Sequence, residues 1–303
     1  EDRFKAFRLT RGVYGQRQLG VQMFRIKLPF GRVNPTQLVR IAELSETYGS
    51  SNLHLTTRQD IQLHYVKVTD APAVWAGLCD VGATAREACG NTVRNITASS
   101  TAGIDPDELF DVSPYAQTAY EYLIRNPICQ DMGRKFKIAF SSSDKDSAYT
   151  FLHDVGFIPR IKDGERGFKV VIGGGLGAQS MMAQDAYEFL PETQVIPLLE
   201  AALRVFDRYG ERTRRNKARL KYLIKDIGLA KYLELIDEER TANKSKEFQV
   251  DIAIIESGEP THNNIAPAVE IQDQQRYDDW CRTNVFEQKQ TGYYAVALKV
   301  TKG

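Results

Sequence analysis

The chain has 303 residues, 42% hydrophobic and 26% charged, which supplies a sizeable core and excludes intrinsic disorder. With 40 Lys+Arg against 39 Asp+Glu the formal net charge is +1, so any anion site must come from local clusters rather than from a whole-chain field. No apolar run approaches the ~18–20 residues of a membrane span, and the length suits about two domains.

No positively charged stretch followed by an apolar core opens the sequence, so no secretory leader is read there. Residues 21–28 predict a strand: Phe24, Ile26 and Leu28 share one face, and Arg25 and Lys27 share the other. Asn34-Pro35 predicts a helix start, with Leu38, Ile41, Ala42, Ser45 and Tyr48 at helical spacing and a stop at Gly49. Residues 53–68 read as a further strand, completing a β–α–β unit that could be half of a ferredoxin-like sandwich. If that strand is continuous, His54, Arg58, Gln62 and His64 project from one face and Leu53, Leu55, Ile61, Leu63 and Tyr65 from the other.

Residues 70–130 look helix-rich. In GRKFKIAF, residues 133–140, Lys135 and Lys137 share a strand face opposite Phe136, Ile138 and Phe140. Arg94 stands in the Gly/Asn-rich turn ACGNTVRNI. FKVVI, residues 168–172, reads as a strand ended by Gly173, Gly174 and Gly175, whose bare backbone could approach a ligand. It is only a weak dinucleotide fingerprint. Residues 197–209 predict an amphipathic helix, and 213–239 continue helically with a break at Gly228. A basic stretch runs from Arg212 to Lys225 along that helix. Residues 241–279 turn polar and read as a linker.

The last twelve residues, GYYAVALKVTKG, align without gaps to GVQMFRIKLPFG at 20–31, which suggests an internal repeat cut off after its first strand. An unpartnered strand at 293–300 predicts self-association, or pairing with residues 21–28. The four cysteines, Cys79, Cys89, Cys129 and Cys281, form no tight pair. Neither a disulfide framework nor a metal site is expected, and a reducing cytoplasm is the expected location.

Arg25, Lys27, Arg58, Arg94, Lys135 and Lys137 all sit on strands or tight turns. So many fixed positive charges call for a polyanion together with a small anionic substrate. A nucleotide-dependent oxidoreductase and an RNA-binding α+β module are the competing readings. The second lacks the aromatic pair on its strand faces that base stacking needs.

FRIK-LPFG, LTTRQDIQLH, CGNTVRN, GRKFK and IGGGLG, in this order, resemble the sirohaem-dependent sulfite and nitrite reductase family over residues 12–240, with a second repeat starting near 280. The resemblance implies an α+β fold with a ferredoxin-like half-domain at 1–70, a larger mixed-sheet α+β domain at 71–240, a linker at 241–279, and the first strand of a second ferredoxin-like repeat at 280–303. It implies substrate contact by Arg25, Arg94, Lys135 and Lys137. Sirohaem carboxylates are implied to meet His54, Arg58, Gln62 and His64, with Gly173–Gly175 close to the macrocycle. Also implied are sirohaem and a [4Fe–4S] cluster, a ferredoxin or flavoprotein donor, and six-electron reduction of sulfite or nitrite. The second lysine, Lys137, favours sulfite, since nitrite-type relatives often carry Asn there. The family's C-x5-C and C-x3-C cluster ligands are absent, so the chain is expected to be an incomplete, inactive piece.

Overall fold

The structure, a computed structural model, describes residues 2–242, 246–255 and 269–300. Helix α1 (Asp2–Leu9) leads into β1 (Val13–Gly15), β2 (Val21–Ile26), α2 (Pro35–Tyr48), β3 (His54–Leu55), β4 (Ile61–Lys67) and α3 (Ala71–Cys79). The strands form one antiparallel sheet in the order β1-β2-β4-β3. Helix α2 starts as its sequence predicts: Asn34 and Gln37 form a reciprocal capping box, Pro35 opens the first turn, and the Gly49 N–H closes on Ser45 O. Phe24, Ile26 and Leu28 pack against Ile41, Leu44, Leu63, Val74 and Leu78. This first core runs through Ala85, past the residue-70 boundary, because α3 buries its apolar face here.

Residues 53–68 are not one strand. Thr56 Oγ1 accepts from the backbone N–H groups of Arg58 and Asp60, and Gln59 takes a left-handed φ of 56°. The chain therefore turns back as a β3–β4 hairpin. The parity argument fails, yet the residues still meet, because the hairpin pairs His54 with Gln62.

The second unit contains β5 (Thr97–Ala98), α4 (Ser113–Leu123), β6 (Ile138–Phe140), β7 (Val155–Lys162), β8 (Glu165–Ile172), β9 (Gln184–Pro191), α5 (Val195–Tyr209), α6 (Leu220–Ile227) and α7 (Leu229–Ala242). Its sheet runs β5-β6-β7-β8-β9, with β5, β6 and β7 parallel and the rest antiparallel. Phe110, Tyr115, Phe140, Phe157 and Phe168 interlock within its core. Pro197 lies in the first turn of α5, where no intrahelical donor is required. The glycines at 173–175 lead to β9 rather than to a helix, so the dinucleotide reading fails. The basic stretch makes one 3-10 turn at Arg215–Lys217 and is α-helical only from Leu220, and Arg219 and Lys221 are buried rather than solvated.

Part of the expected linker packs down: the Phe248 N–H donates to Thr193 O at 2.9 Å, and its ring meets Tyr122. Residues 256–268 of that stretch lie outside the described residues. Then follow α8 (Gln274–Asn284), β10 (Val285–Glu287) and β11 (Tyr294–Val296). In the first hairpin Val13 faces Phe24, Tyr14 faces Met23 and Gly15 faces Gln22; in the last, Val285 faces Val296, Phe286 faces Ala295 and Glu287 faces Tyr294. Every residue of the second set stands 272 positions after its counterpart, the offset of the sequence alignment. Each hairpin follows a helix, α1 or α8. The internal repeat is thus repeated in register. β11 pairs with β10, so the expected pairing with residues 21–28 is not formed.

Candidate anion and cofactor site

The two sheets face each other across a cavity of about 880 Å³. On one wall, neighbouring strands bring Arg25, His54 and Gln62 into one row, since Arg25 and His54 both pair with Gln62. Arg58 comes from the hairpin turn, Arg94 from the loop before β5, and Lys135 and Lys137 from the segment entering β6. That segment is extended and bonded to residues 92–94, with Arg94 N–H donating to Phe136 O and Phe136 N–H to Thr92 O. Phe136 turns into the core and the flanking lysines turn to the cavity, as their alternation predicts.

Seven predicted residues therefore share one hollow: Arg25, His54, Arg58, Gln62, Arg94, Lys135 and Lys137. His64 is off its wall but stacks on His54 at 5.4 Å. Gly173, Gly174 and Gly175 are also off the wall, although Leu176 reaches it. Gly174 instead packs under a neighbouring turn: a Cβ there would lie 2.3 Å from Phe151 O and 2.6 Å from His153 O. Lys27 does not join the cluster. It is buried, donates to Val93 O at 3.1 Å and lines a different cavity. Five of the six cations grouped in the sequence therefore converge.

Each guanidinium is held by backbone or amide oxygen. Arg94 donates to Gly90 O and Ala88 O, and Arg25 Nη1 also donates to Ala88 O, at 3.2 Å. With its amide oriented to satisfy both sides, Gln62 accepts from Arg25 Nε and Nη2 at 3.0 and 2.8 Å and donates to His64 Nε2 at 3.2 Å. Arg58 donates to Asn95 O and to His153 Nε2. The two sheets are stitched by amides absent from the predicted set: Asn95 Nδ2 donates to Leu28 O, and Gln59 pairs with both backbone groups of Ala98.

His153 was also missed. Its Nδ1–H donates to Tyr149 O at 2.7 Å, leaving Nε2 as the acceptor for Arg58. Burial and Arg58 push its pKa down to about 3, so the ring is neutral. No spacing pattern in the sequence marks it.

The lysine tips have no hydrogen-bond acceptor among the described residues. Burial, then Arg94 and other cations, push Lys135 down to about 8; burial, then Arg58 and Arg219, push Lys137 down to about 7. Asp60 is the cavity wall's only carboxylate among the described residues. Burial raises it to about 7 against the pull of Arg25, Lys27, Arg58 and Arg94. Five cations facing one half-neutralised acid give the cavity a positive lining that suits anions. An octacarboxylate such as sirohaem fits that donor set. All four cysteines are free, and no group of three or more His, Cys, Asp or Glu suited to a metal occurs among the described residues.

A ferredoxin-like half joined to a mixed-sheet domain across a cationic cavity defines the nitrite and sulfite reductase fold. The family model for the "Nitrite/Sulfite reductase ferredoxin-like half domain" matches residues 14–81, and that for the "Nitrite and sulphite reductase 4Fe-4S domain" matches residues 89–245. The chain belongs to the sirohaem-dependent sulfite and nitrite reductase family. It is 32% identical over 219 residues to a "Sulfite reductase [ferredoxin] 1" of Mycolicibacterium paratuberculosis, covering 72% of this chain and 39% of that protein. It is 31% identical over 226 residues to a "Ferredoxin--nitrite reductase" of Leptolyngbya laminosa, covering 73% and 44%. Among solved structures, Mycobacterium tuberculosis NirA superposes with a TM-score of 0.73 at 30% identity, over 80% of this chain and 46% of that one. The chain thus spans less than half the length of these relatives.

Proposed function

We propose that this chain is the substrate- and sirohaem-gripping portion of a reductase that converts sulfite to sulfide. The observation that carries the reading is the meeting of Arg25, Arg94, Lys135 and Lys137 on one cavity that also presents His54, Arg58 and Gln62. The first four would hold the oxyanion, and the latter three, with His64 behind them, would meet cofactor carboxylates. When bound, sirohaem supplies the iron centre and the path for six electrons.

The chain's own residues do the rest. Arg25 and Arg94, braced by Ala88 O, present rigid planar donors to oxygen atoms. Reduction of sulfite to sulfide consumes six protons as three oxygens leave as water. Lys137, near 7, and Lys135, near 8, stand at the pKa range in which an ammonium donates a proton at neutral pH. An incoming anion raises both, so substrate arrival protonates its own donors. Lys137 supports sulfite over nitrite, as nitrite-type relatives often carry Asn there. Electrons would come from a ferredoxin or flavoprotein, and a cytoplasmic setting suits the free cysteines. Lacking cluster ligands, the chain alone is inactive in six-electron reduction.

Titration of the chain with sirohaem tests this. The expected result is a bound absorption spectrum that shifts on adding sulfite, with the shift abolished in K135E/K137E and cofactor uptake abolished in R58E. Failure of the wild-type chain to take up sirohaem, or uptake unaffected by R58E, overturns the reading.

A further inference from the structure

Behind Arg94 lies a second cavity of about 500 Å³, bounded by α1, the loop carrying Gly90 and Asn91, and the segments around Gln130–Arg134 and Arg215. Arg94 lines both cavities, so its guanidinium forms part of the partition between them. The remainder of the partition is the extended segment at 134–135. Successive side chains of an extended segment point to opposite sides. Lys135 enters the main cavity and Arg134 enters the second.

Arg134 is half-buried, and neither it nor Arg215 has a hydrogen-bond or ion-pair partner among the described residues. Burial, Arg215 and Arg219 all disfavour the charged form of Arg134. Asp131, the one carboxylate on the wall among the described residues, is exposed, and its recorded bond is through its backbone oxygen to Arg212. Three guanidiniums line this one chamber; Arg134 is half-buried, Arg215 is exposed, and neither has an acceptor among the described residues. A planar fork without an acceptor suits a compact oxyanion with two or three oxygens.

We infer that the second cavity is an oxyanion-binding antechamber, holding the same class of small anion as the main cavity and separated from it by Arg94. The inference rests on the proposed function for the identity of that anion. Selenite, a heavier analogue of sulfite, is the probe. In crystals of the full chain soaked with selenite, anomalous scattering is expected within hydrogen-bond reach of Arg134 and Arg215, as well as beside Lys135 and Lys137. In R134A/R215A the first peak is lost and the second stays. Selenite beside Lys135 and Lys137 alone overturns the antechamber, as does a second-cavity peak that persists in R134A/R215A. Selenite in the second cavity with none beside the lysines leaves the antechamber standing and overturns the proposed substrate site, so the two failures are distinct.

Discussion

Arg25, on β2, and Arg94, in the loop before β5, donate to the same carbonyl oxygen, that of Ala88. One backbone atom thus locks two guanidiniums, one from a strand and one from a loop, at a fixed separation. Arg94→Lys keeps the charge and loses the fork that reaches Gly90 O and Ala88 O together. Hydrogen bonds to charged groups contribute ~1.5–3 kcal/mol, so sulfite affinity of the sirohaem-loaded chain should fall about 10- to 100-fold. Sirohaem uptake should change little, which absorption titrations of both ligands would check. Equal loss of both would contradict separate roles for Arg94 and Arg58.

The pH dependence of stability follows from the buried cations. Lys27, Lys135 and Lys137 have folded pKa values near 8, 8 and 7, below the ordinary 10.5. Between pH 7 and 10 the unfolded chain therefore binds more protons, and stability rises with pH. Below pH 7 the groups oppose one another. Asp60, raised to about 7, makes stability fall as pH climbs from 4 to 7, while His153, lowered to about 3, makes it rise over much of that range. The expected thermal-denaturation profile of the ligand-free chain is level from about pH 4 to 6.5 and rises above pH 7. K135M/K137M should flatten the upper limb without abolishing it, because Lys27 remains. A wild-type midpoint that falls between pH 7 and 9 would refute the assignment of these lysines as buried cations.

Asp60→Asn isolates the lower limb. Removing the carboxylate removes the term that opposes His153, so stability should rise with pH between 4 and 6.5 instead of staying level. The same substitution removes a negative charge that supports the charged form of Lys27, and Lys27 should titrate lower still. NMR titration of the lysine side-chain resonances would read this directly. An unchanged Lys27 midpoint would show that Asp60 does not act on it.

What the sequence disclosed was local. The capping box at Asn34 and Gln37 needs only four residues, and the face shared by Lys135 and Lys137 needs only the alternation of Phe136 and Ile138. What it hid depends on distant chain. Lys27 has the same parity as Arg25, and its burial is supported by Val93 O and the Tyr120 ring, both supplied by the second unit. The hairpin at Thr56–Asp60 is fixed by Gln59 bonding to Ala98 and by Asn95 holding the carbonyl oxygens of Arg58 and Gln59. Read alone, that stretch looks like one β-rich run. The glycine triplet pointed to a ligand, but its tightest neighbour is backbone from the turn that carries His153.

His153→Phe keeps an aromatic ring of similar size and removes the acceptor for Arg58 Nη2. Arg58 retains Asn95 O and Thr97 Oγ1, at 3.3 and 3.4 Å, so it stays nearby but loses its closest restraint. Affinity for an octacarboxylate porphyrin should drop about tenfold, the value of one hydrogen bond to a charged group. Because the native ring is neutral, that loss should be constant from pH 5 to pH 8. Calorimetry at both ends of the range checks it, and a defect confined to acid pH would mean that the imidazolium, rather than the neutral ring, engages the site.

Gly174→Ala tests whether the glycine loop acts on the site through packing. The new Cβ would stand 2.3 Å from Phe151 O and 2.6 Å from His153 O, both backbone atoms that cannot swing aside. The turn at Thr150–Leu152 must shift, and it carries His153 with it. Overpacking of this kind costs ~1–3 kcal/mol, and Arg58 should lose its orienting partner at the same time. Gly175→Ala is the matched control. Its Cβ would meet Arg219 Nη2 at 3.0 Å and Lys221 Cδ at 3.3 Å, a looser approach to side-chain atoms rather than to backbone. Chemical denaturation should show a marked loss for Gly174→Ala and a small one for Gly175→Ala, and porphyrin affinity should follow the same order. If Gly175→Ala weakens porphyrin binding while Gly174→Ala does not, the loop touches the ligand directly and the packing account is wrong.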